Sequence, residues 1–125
     1  MEKPKVLVVD DAEIMRQIFQ ELLADDFDVM VAETVNEALQ IIEAEPLVVV
    51  IVDWILRGEC GGEVYQIAHA ELVARKIAFM VVTGDQALAS DFSRETGVRM
   101  LLKPENINLH TLPGILREEI AKVRG

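Results

Sequence analysis

Five polar residues of this sequence follow four apolar runs, and their types are those that phosphoryl transfer requires. They are three carboxylates, a hydroxyl and an ammonium group: Asp10, Asp11, Asp53, Thr83 and Lys103. Carboxylates about 5 Å apart repel by roughly 3 kcal/mol at an effective dielectric constant near 20, so a gathered set needs a cation. Mg²⁺ is the natural candidate because it prefers oxygen ligands. A carboxylate beside Mg²⁺ can attack a phosphoryl group, and a hydroxyl and a lysine can bind its oxygens.

Taken singly, each of these residues has an ordinary structural interpretation. Asp11 could cap a following helix, a strand-ending threonine such as Thr83 is usually structural, and Lys103-Pro104 could be part of a loop. Their joint occurrence at successive strand ends would require several independent coincidences. The set as a whole therefore favours a functional site.

The apolar runs before these residues are typical of strands buried on both faces of a parallel sheet. Strands are predicted over 5–9, 28–32, 47–52, 77–82 and 98–102. The carboxyl ends of parallel strands meet at one edge, where open α/β sheets bind ligands. We therefore expect the five polar residues to converge there.

Helical patterns alternate with these strands. Residues 13–24 carry an apolar stripe at Ile14, Ile18 and Leu22, and the next helix begins at a capping box formed by Thr34 and Glu37. Glycines at 58, 61 and 62 indicate a loop before a third helix. A fourth helix is predicted over 86–96 with Gly97 as its cap, and Pro113 belongs in the first turn of the last. Five successive β-then-α units predict a three-layer α/β sandwich.

The length and composition of the chain exclude several classes of protein. The 125 residues suit one domain over 1–125, and no apolar stretch reaches the length of a membrane span. The net charge of −10 argues against binding nucleic acid. Cys60 is the single cysteine, so an internal disulfide is excluded, and the polar start at 1–4 lacks the pattern of a signal peptide. A cytoplasmic location is expected.

The polar residues and their spacing resemble the receiver domain of bacterial two-component response regulators, and the chain is similar to the single-domain chemotaxis-type members. Residues 6–11 match the first strand with its acid pair, and 52–54 match the phosphoacceptor strand. Gly61 lies eight residues after Asp53, and Thr83-Gly84 begins thirty residues after it. Residues 102–104 match the Lys-Pro signature, so the similarity covers essentially the whole chain.

This resemblance implies a flavodoxin-like (βα)5 fold with a parallel five-stranded sheet in the order 2-1-3-4-5. It implies a phosphorylation-dependent switch that is not an enzyme in the ordinary sense, and that accepts a phosphoryl group on Asp53 from a histidine kinase or phosphotransfer protein. Thr83 and Lys103 would bind the phosphoryl oxygens. The Mg²⁺ ligands would come from Asp10, Asp11, Asp53 and the backbone carbonyl of Ile55. The downstream partner and a phosphorylation-dependent homodimer are left open.

The sequence departs from the family pattern at position 100, at positions 56–57 and in the link from Gly97 to Lys103, which is one residue shorter than is common, and Ile55 carries a separate hypothesis. Met100 occupies the switch position, which is usually aromatic, so the transmission of phosphorylation is expected to differ. Arg57 stands where a proline is common, which adds a charge near the site. Ile55, two residues past the acceptor, has an apolar side chain that cannot orient an attacking water, and this predicts slow self-dephosphorylation.

Other function classes are less consistent with the sequence. A phosphohydrolase of the haloacid dehalogenase type would carry Asp-x-Asp at the nucleophile, whereas this chain has Asp53-Trp54-Ile55. A pseudo-receiver that serves only as an interaction module would not need the intact acid set. A flavin-binding protein would need a Ser/Thr-rich phosphate loop after the first strand, which the sequence lacks.

Overall fold

Five parallel strands form one central sheet, and five helices cover its two faces. The computed structural model describes residues 2–125, and Met1, which begins the polar segment considered above, lies outside the described residues. In chain order the elements are β1 (Lys5–Val9), α1 (Glu13–Leu23), β2 (Asp28–Ala32), α2 (Val35–Ala44), β3 (Leu47–Asp53), β4 (Ile55–Leu56), β5 (Glu59–Cys60), α3 (Gly62–Ala74), β6 (Ala78–Thr83), α4 (Gln86–Thr96), β7 (Arg99–Leu102) and α5 (Leu112–Arg124). The sheet order is β2-β1-β3-β6-β7, which confirms the predicted order 2-1-3-4-5 because β4 and β5 form a separate hairpin.

Residues of the central strands alternate between two apolar layers. Val50 and Val52 pack with α2, α3 and α4, whereas Val49 and Ile51 pack with α1 and α5. This alternation follows from the two-residue period of a strand, and it explains why the central strands are apolar throughout. Among residues 2–125, no helix is both long and apolar enough to cross a membrane.

The first helix is rotated relative to its predicted orientation. Phe19 and Leu23 are buried, whereas Ile14 is 67% exposed, so the prediction that Ile14 belongs to the core stripe is wrong. Both sets of residues repeat at four-residue spacing, and periodicity alone cannot choose between them. The larger Phe19 ring fills the layer between the sheet and α5.

The predicted helix ends are confirmed at three positions. The hydroxyl oxygen of Thr34 accepts a hydrogen bond from the N–H of Glu37 at 3.1 Å. Gly97 ends α4 with a φ of +77°, a left-handed conformation that favours glycine. Pro113 lies in the first turn of α5, where its missing N–H has no helical partner to lose.

A short β-hairpin occupies the segment predicted only as a glycine loop. Its strands, β4 and β5, contain two residues each, and Ile55 pairs with Cys60 in an antiparallel register. Gly58 takes the second turn position with a φ of +72°, which a side chain would disfavour. Strands this short carry no measurable periodicity, so the sequence pattern did not predict them.

Candidate functional site

The three predicted acids meet at the carboxyl edge of the sheet. Asp10 and Asp11 follow the end of β1, and Asp53 is the last residue of the neighbouring strand β3. Each residue offers one carboxylate oxygen, and these oxygens all lie within 4.8 Å of one another. The parallel pairing of Val9 with Val52 brings the two strand ends level, which is why residues 43 positions apart come together.

Asp10 is the most deeply buried member of the acid cluster, with 2% of its surface exposed. Its Oδ1 accepts a hydrogen bond from the N–H of Ala12 at 2.9 Å. Burial raises the pKa of Asp10 above its usual value, and the nearby charge of Asp53 adds to this effect, while the bond from Ala12 opposes it. In the absence of a cation, ionising Asp10 therefore costs more free energy than ionising a solvent-exposed carboxyl group.

Asp53 is held between a lysine and a backbone N–H. Its Oδ2 lies 2.8 Å from the Nζ of Lys103, and its Oδ1 accepts a hydrogen bond from the N–H of Ile55 at 3.2 Å. Its side chain is 12% exposed, so the carboxylate is not completely covered by the protein. The Nζ of Lys103 also lies 3.6 Å from Oδ2 of Asp10.

Lys103 reaches this position from β7, two strands away from β3. Its backbone N–H donates to the carbonyl of Thr83 at 2.9 Å, which fixes its main chain against β6, and its peptide bond to Pro104 is cis. Although burial acts to lower the pKa of Lys103, the hydrogen bond and charge of Asp53, together with the charge of Asp10, raise it above its usual value. Lys103 therefore carries a positive charge in the site at neutral pH.

The net negative charge of the cluster can be balanced by one divalent cation. Three carboxylates and one ammonium group give a local charge of −3 + 1 = −2. All the acidic ligand atoms are oxygens, which suits a hard ion such as Mg²⁺. The composition and spacing of the donor set thus fit the predicted metal.

Thr83 lies at the same edge, and its hydroxyl faces the start of α4. The residue is 2% exposed and ends β6, the strand next to β3. Its hydroxyl donates to the carbonyl of Asp85 at 3.0 Å and accepts from the N–H of the same residue at 3.1 Å. The carboxylate of Asp85 in turn caps α4 by accepting from Ala87 at 3.0 Å. The hydroxyl predicted to bind phosphoryl oxygens therefore also shapes this helix start.

The hairpin after Asp53 fixes the position of Ile55. A hydrogen bond of 2.7 Å runs from the N–H of Gly61 to the carbonyl of Trp54. In an antiparallel ladder this bond makes the next pair, Ile55 and Cys60, a non-hydrogen-bonded pair. The carbonyl of Ile55 is thus left out of the ladder, while its side chain is 57% exposed beside the acceptor.

Gly61 permits the closest backbone contact of this segment. A Cβ at this position would overlap the backbone carbonyl oxygen of Asp53 and lie 3.0 Å from the Val52 side chain. Its φ of −59° is open to any residue, so space and not backbone conformation requires glycine here. The family motif marked this glycine correctly, and the structure supplies the reason.

An aromatic cluster adjoins Asp53 on the side of α3 and α4. The rings of Trp54 and Phe92 are 5.0 Å apart, and Tyr65 meets Phe92 edge-on at 5.4 Å. Met100 is half-buried and packs in the same layer. The aromatic groups near the site thus lie just after β3 and on α3 and α4, and the predicted switch position on β7 contributes a flexible thioether.

Two residues that hold the site together were not predicted. Arg16 donates to the backbone carbonyl of Asp10 at 2.8 Å and pairs with Glu33 at 3.1 Å, which ties α1 to the segments after β1 and β2. Glu59 accepts a hydrogen bond from the N–H of Val35 at 3.1 Å. Both bonds involve backbone groups that every residue possesses, so the sequence contains no signal for them.

This geometry agrees with a match to a known family. The family model described as the response regulator receiver domain matches residues 6–112. The chain belongs to this family. The predicted family and the predicted function class, a phosphorylation-dependent signalling switch, are thereby confirmed, and nothing favours the phosphohydrolase, pseudo-receiver or flavin alternatives. Receiver domains are signalling regulators and generally not enzymes.

Several solved structures are similar to this chain over almost its entire length. A CheY-like response regulator receiver domain protein from Methanospirillum hungatei JF-1 is 26% identical, with 98% of each chain covered and a TM-score of 0.80. A structure described as an adenylate cyclase from Rhodopirellula baltica is 28% identical, with 97% of this chain and 90% of that chain covered and a TM-score of 0.80. The chemotaxis protein CheY4 from Vibrio cholerae, at 24% identity, has a TM-score of 0.82 over 94% of this chain and 98% of that chain. A comparison with curated protein sequences finds no match for the receiver domain.

Proposed function

We propose that Asp53 of this receiver domain accepts a phosphoryl group from a histidine kinase or a phosphotransfer protein in a reaction that requires Mg²⁺. The observation that carries this proposal is the position of the Asp53 carboxylate, which lies between the Nζ of Lys103 and the acid cluster with Asp10 and Asp11. Both carboxylate oxygens are held by the protein, and the side chain is still partly exposed to solvent. This arrangement suits a nucleophile better than a purely structural carboxylate.

Mg²⁺ would be held by oxygens of Asp10, Asp11 and Asp53 and by the backbone carbonyl of Ile55. When bound, the ion would offset the negative charge of the cluster and of the phosphoryl oxygens. A carboxylate oxygen of Asp53 forms the new bond to phosphorus while the bond from phosphorus to the donor's imidazole nitrogen breaks. Lys103 stays in hydrogen-bonding range of the new acyl phosphate, and the hydroxyl of Thr83 turns toward it.

The surroundings of the acids suit a protein donor. Four exposed apolar side chains lie on segments that leave the same carboxyl edge: Ile14, Ile55, Leu88 and Leu109. Exposed apolar groups gathered on one side of a protein are typical of a contact surface. The receiver family implies interaction with a kinase or phosphotransfer protein, and these exposed apolar side chains support contact with such a protein over a small phosphate donor alone.

The phosphohydrolase alternative has no support at the acceptor. Its second acid would lie two residues after the nucleophile, where this chain has the exposed side chain of Ile55. Signalling is therefore proposed to proceed through protein contacts made by the phosphorylated domain. A phosphorylation-dependent homodimer and a cytoplasmic location stay predictions.

The proposal is tested by incubating the full chain with acetyl phosphate and Mg²⁺ and measuring the intact mass. One phosphoryl adduct is expected with wild-type protein, and none with Asp53→Asn or with the metal chelated. Asp28→Asn changes an exposed acid at the amino edge of the sheet, and this variant should still gain the adduct. A wild-type chain that gains no phosphoryl group with any donor would rule the proposal out.

A further inference from the structure

The hairpin that carries Ile55 is bonded to helix α2 through Glu59. The Oε1 of Glu59 accepts a hydrogen bond from the N–H of Val35 at 3.1 Å, across 24 residues of chain. Val35 is the first residue of α2 and is buried, and Glu59 is half-buried. The bond therefore connects the segment after Asp53 to the start of the helix that follows β2.

The partner of Glu59 is a donor that the helix itself cannot satisfy. The first N–H groups of any helix lack intrahelical acceptors. In α2 the local cap, Thr34, satisfies the N–H of Glu37, and Glu59 satisfies that of Val35. Because a helix N-terminus carries partial positive charge, a carboxylate acceptor is favoured there over a neutral one.

The hairpin needs such an attachment because it is very short. Each strand has two residues, and an isolated two-stranded hairpin is at best marginally stable in water. Leu56 is buried and anchors one side of the hairpin, and it pairs with Glu59 in the ladder. Glu59 thus provides the polar anchor directly opposite the apolar one.

The register of the hairpin connects this anchor to the metal site. Because Ile55 and Cys60 form a non-hydrogen-bonded pair, the carbonyl of Ile55 makes no ladder bond and can serve as a metal ligand. The orientation of the Ile55 carbonyl follows the orientation of the hairpin. Glu59 in turn holds the hairpin against α2. We propose that Glu59 is a positioning residue that sets the Mg²⁺ affinity of the site through the carbonyl of Ile55. This inference rests on the proposed function, because it requires that Mg²⁺ binds at the acid cluster.

The test is a Mg²⁺ titration of the unphosphorylated full chain by isothermal titration calorimetry. The emission of Trp54 gives a second readout, because it is the only tryptophan and adjoins the acceptor. Glu59→Ala should weaken Mg²⁺ binding by about tenfold, as losing a residue that orients a metal ligand typically does. Glu59→Gln keeps an acceptor oxygen, so its affinity should lie between those of the alanine variant and the wild type.

The matched control is Glu63→Ala, which removes the same charge from an exposed position in the first turn of α3. This control measures the loss of affinity that comes from net charge alone. Amide exchange at Val35 should be faster in Glu59→Ala and unchanged in Glu63→Ala. Circular dichroism establishes that both variants are folded, and Glu59→Gln remains available if the alanine variant is not.

The outcomes separate the two proposals. A wild-type chain that binds no Mg²⁺ would overturn the proposed function and this inference together. A wild-type chain that binds Mg²⁺, with Glu59→Ala matching the affinity of Glu63→Ala, would overturn the positioning role alone. An affinity loss in Glu59→Ala that exceeds the control and is partly restored in Glu59→Gln would support it.

Discussion

The Nζ of Lys103 lies 2.8 Å from Oδ2 of Asp53, although β6 separates the strands that carry the two residues. The lysine follows β7, so its positive charge comes from a different element than the acids do. The pair joins the last strand of the sheet to the acceptor. This contact places the positive charge of Lys103 beside the three carboxylates of the site.

Replacing Lys103 with methionine should slow the reaction of Asp53 with acetyl phosphate by at least about tenfold, or about 1.4 kcal/mol in activation free energy. The physical reason is the loss of a positive charge beside the phosphoryl oxygens. The rate is measured from the time course of intact mass. Lys122→Met is the control, because that lysine is exposed on α5 and pairs with Glu119. Equal rates in Lys103→Met and the wild type would contradict the role of Lys103.

Replacing Asp10 with asparagine should stabilise the metal-free protein at pH 7 by about 1–3 kcal/mol, because one of three adjacent carboxylate charges is removed. The same variant should lose most of its Mg²⁺ affinity. Urea unfolding in the presence of a chelator gives the first quantity, and a Mg²⁺ titration gives the second.

The stabilisation by Asp10→Asn should depend on pH. The pKa of Asp10 is raised in the folded state, so the folded protein binds a proton there more tightly than the unfolded chain does. The wild type therefore loses stability as the pH rises from the ordinary carboxyl pKa of 3.8 through the folded value. The difference in unfolding free energy between variant and wild type should shrink as the pH falls from 7 toward 4. A difference that grows toward acid pH would contradict the direction of this shift.

Replacing Ile55 with asparagine should shorten the lifetime of phosphorylated Asp53 severalfold. The exposed apolar side chain of Ile55 stands beside the acceptor and offers an attacking water no hydrogen bond, whereas an amide can orient one. Loss of the adduct is followed by intact mass after removal of the donor. Ile67→Asn is a matched control on the exposed surface of α3, and an unchanged lifetime in Ile55→Asn would refute the idea.

Replacing Gly61 with alanine should destabilise the fold by about 1–3 kcal/mol and weaken Mg²⁺ binding, because the added methyl overlaps the rigid carbonyl of Asp53. Gly114→Ala provides the contrast, since its Cβ would meet no atom within 4 Å on helix α5. That change should leave stability equal or increase it by up to about 1 kcal/mol. Thermal and urea unfolding of both variants check the pair, and similar losses in the two would argue against the steric explanation.

The acid cluster and its lysine could be predicted because strand topology determines where they lie. Once alternating units indicate a parallel sheet, residues that end successive strands must share an edge, however distant they are in sequence. Asp10, Asp53 and Lys103 are of this kind. The role of Ile55 as a metal ligand was predicted only from the family resemblance, because a backbone carbonyl is present in every residue and its side chain gives no signal.

The sequence could not predict features that depend on side-chain packing or on backbone partners. The stripe containing Ile14 has the same spacing as the one containing Phe19, and only the volume available in the core decides between them. The bonds made by Arg16 and Glu59 end on backbone groups, which no residue type marks. The hydroxyl of Thr83 was placed at the correct edge, but its direction depends on the turn that begins α4.

The hydroxyl of Thr83 has a single hydrogen, and in this structure that hydrogen goes to the carbonyl of Asp85. A phosphoryl oxygen on Asp53 would compete for the same hydrogen, so the two bonds exclude each other. Phosphorylation would therefore weaken the binding of a protein that recognises the start of α4 in its present shape. By thermodynamic reciprocity, binding of that protein would weaken the contact between Thr83 and the phosphoryl group by the same factor. A downstream partner would thus affect the phosphorylation site as strongly as phosphorylation affects that partner.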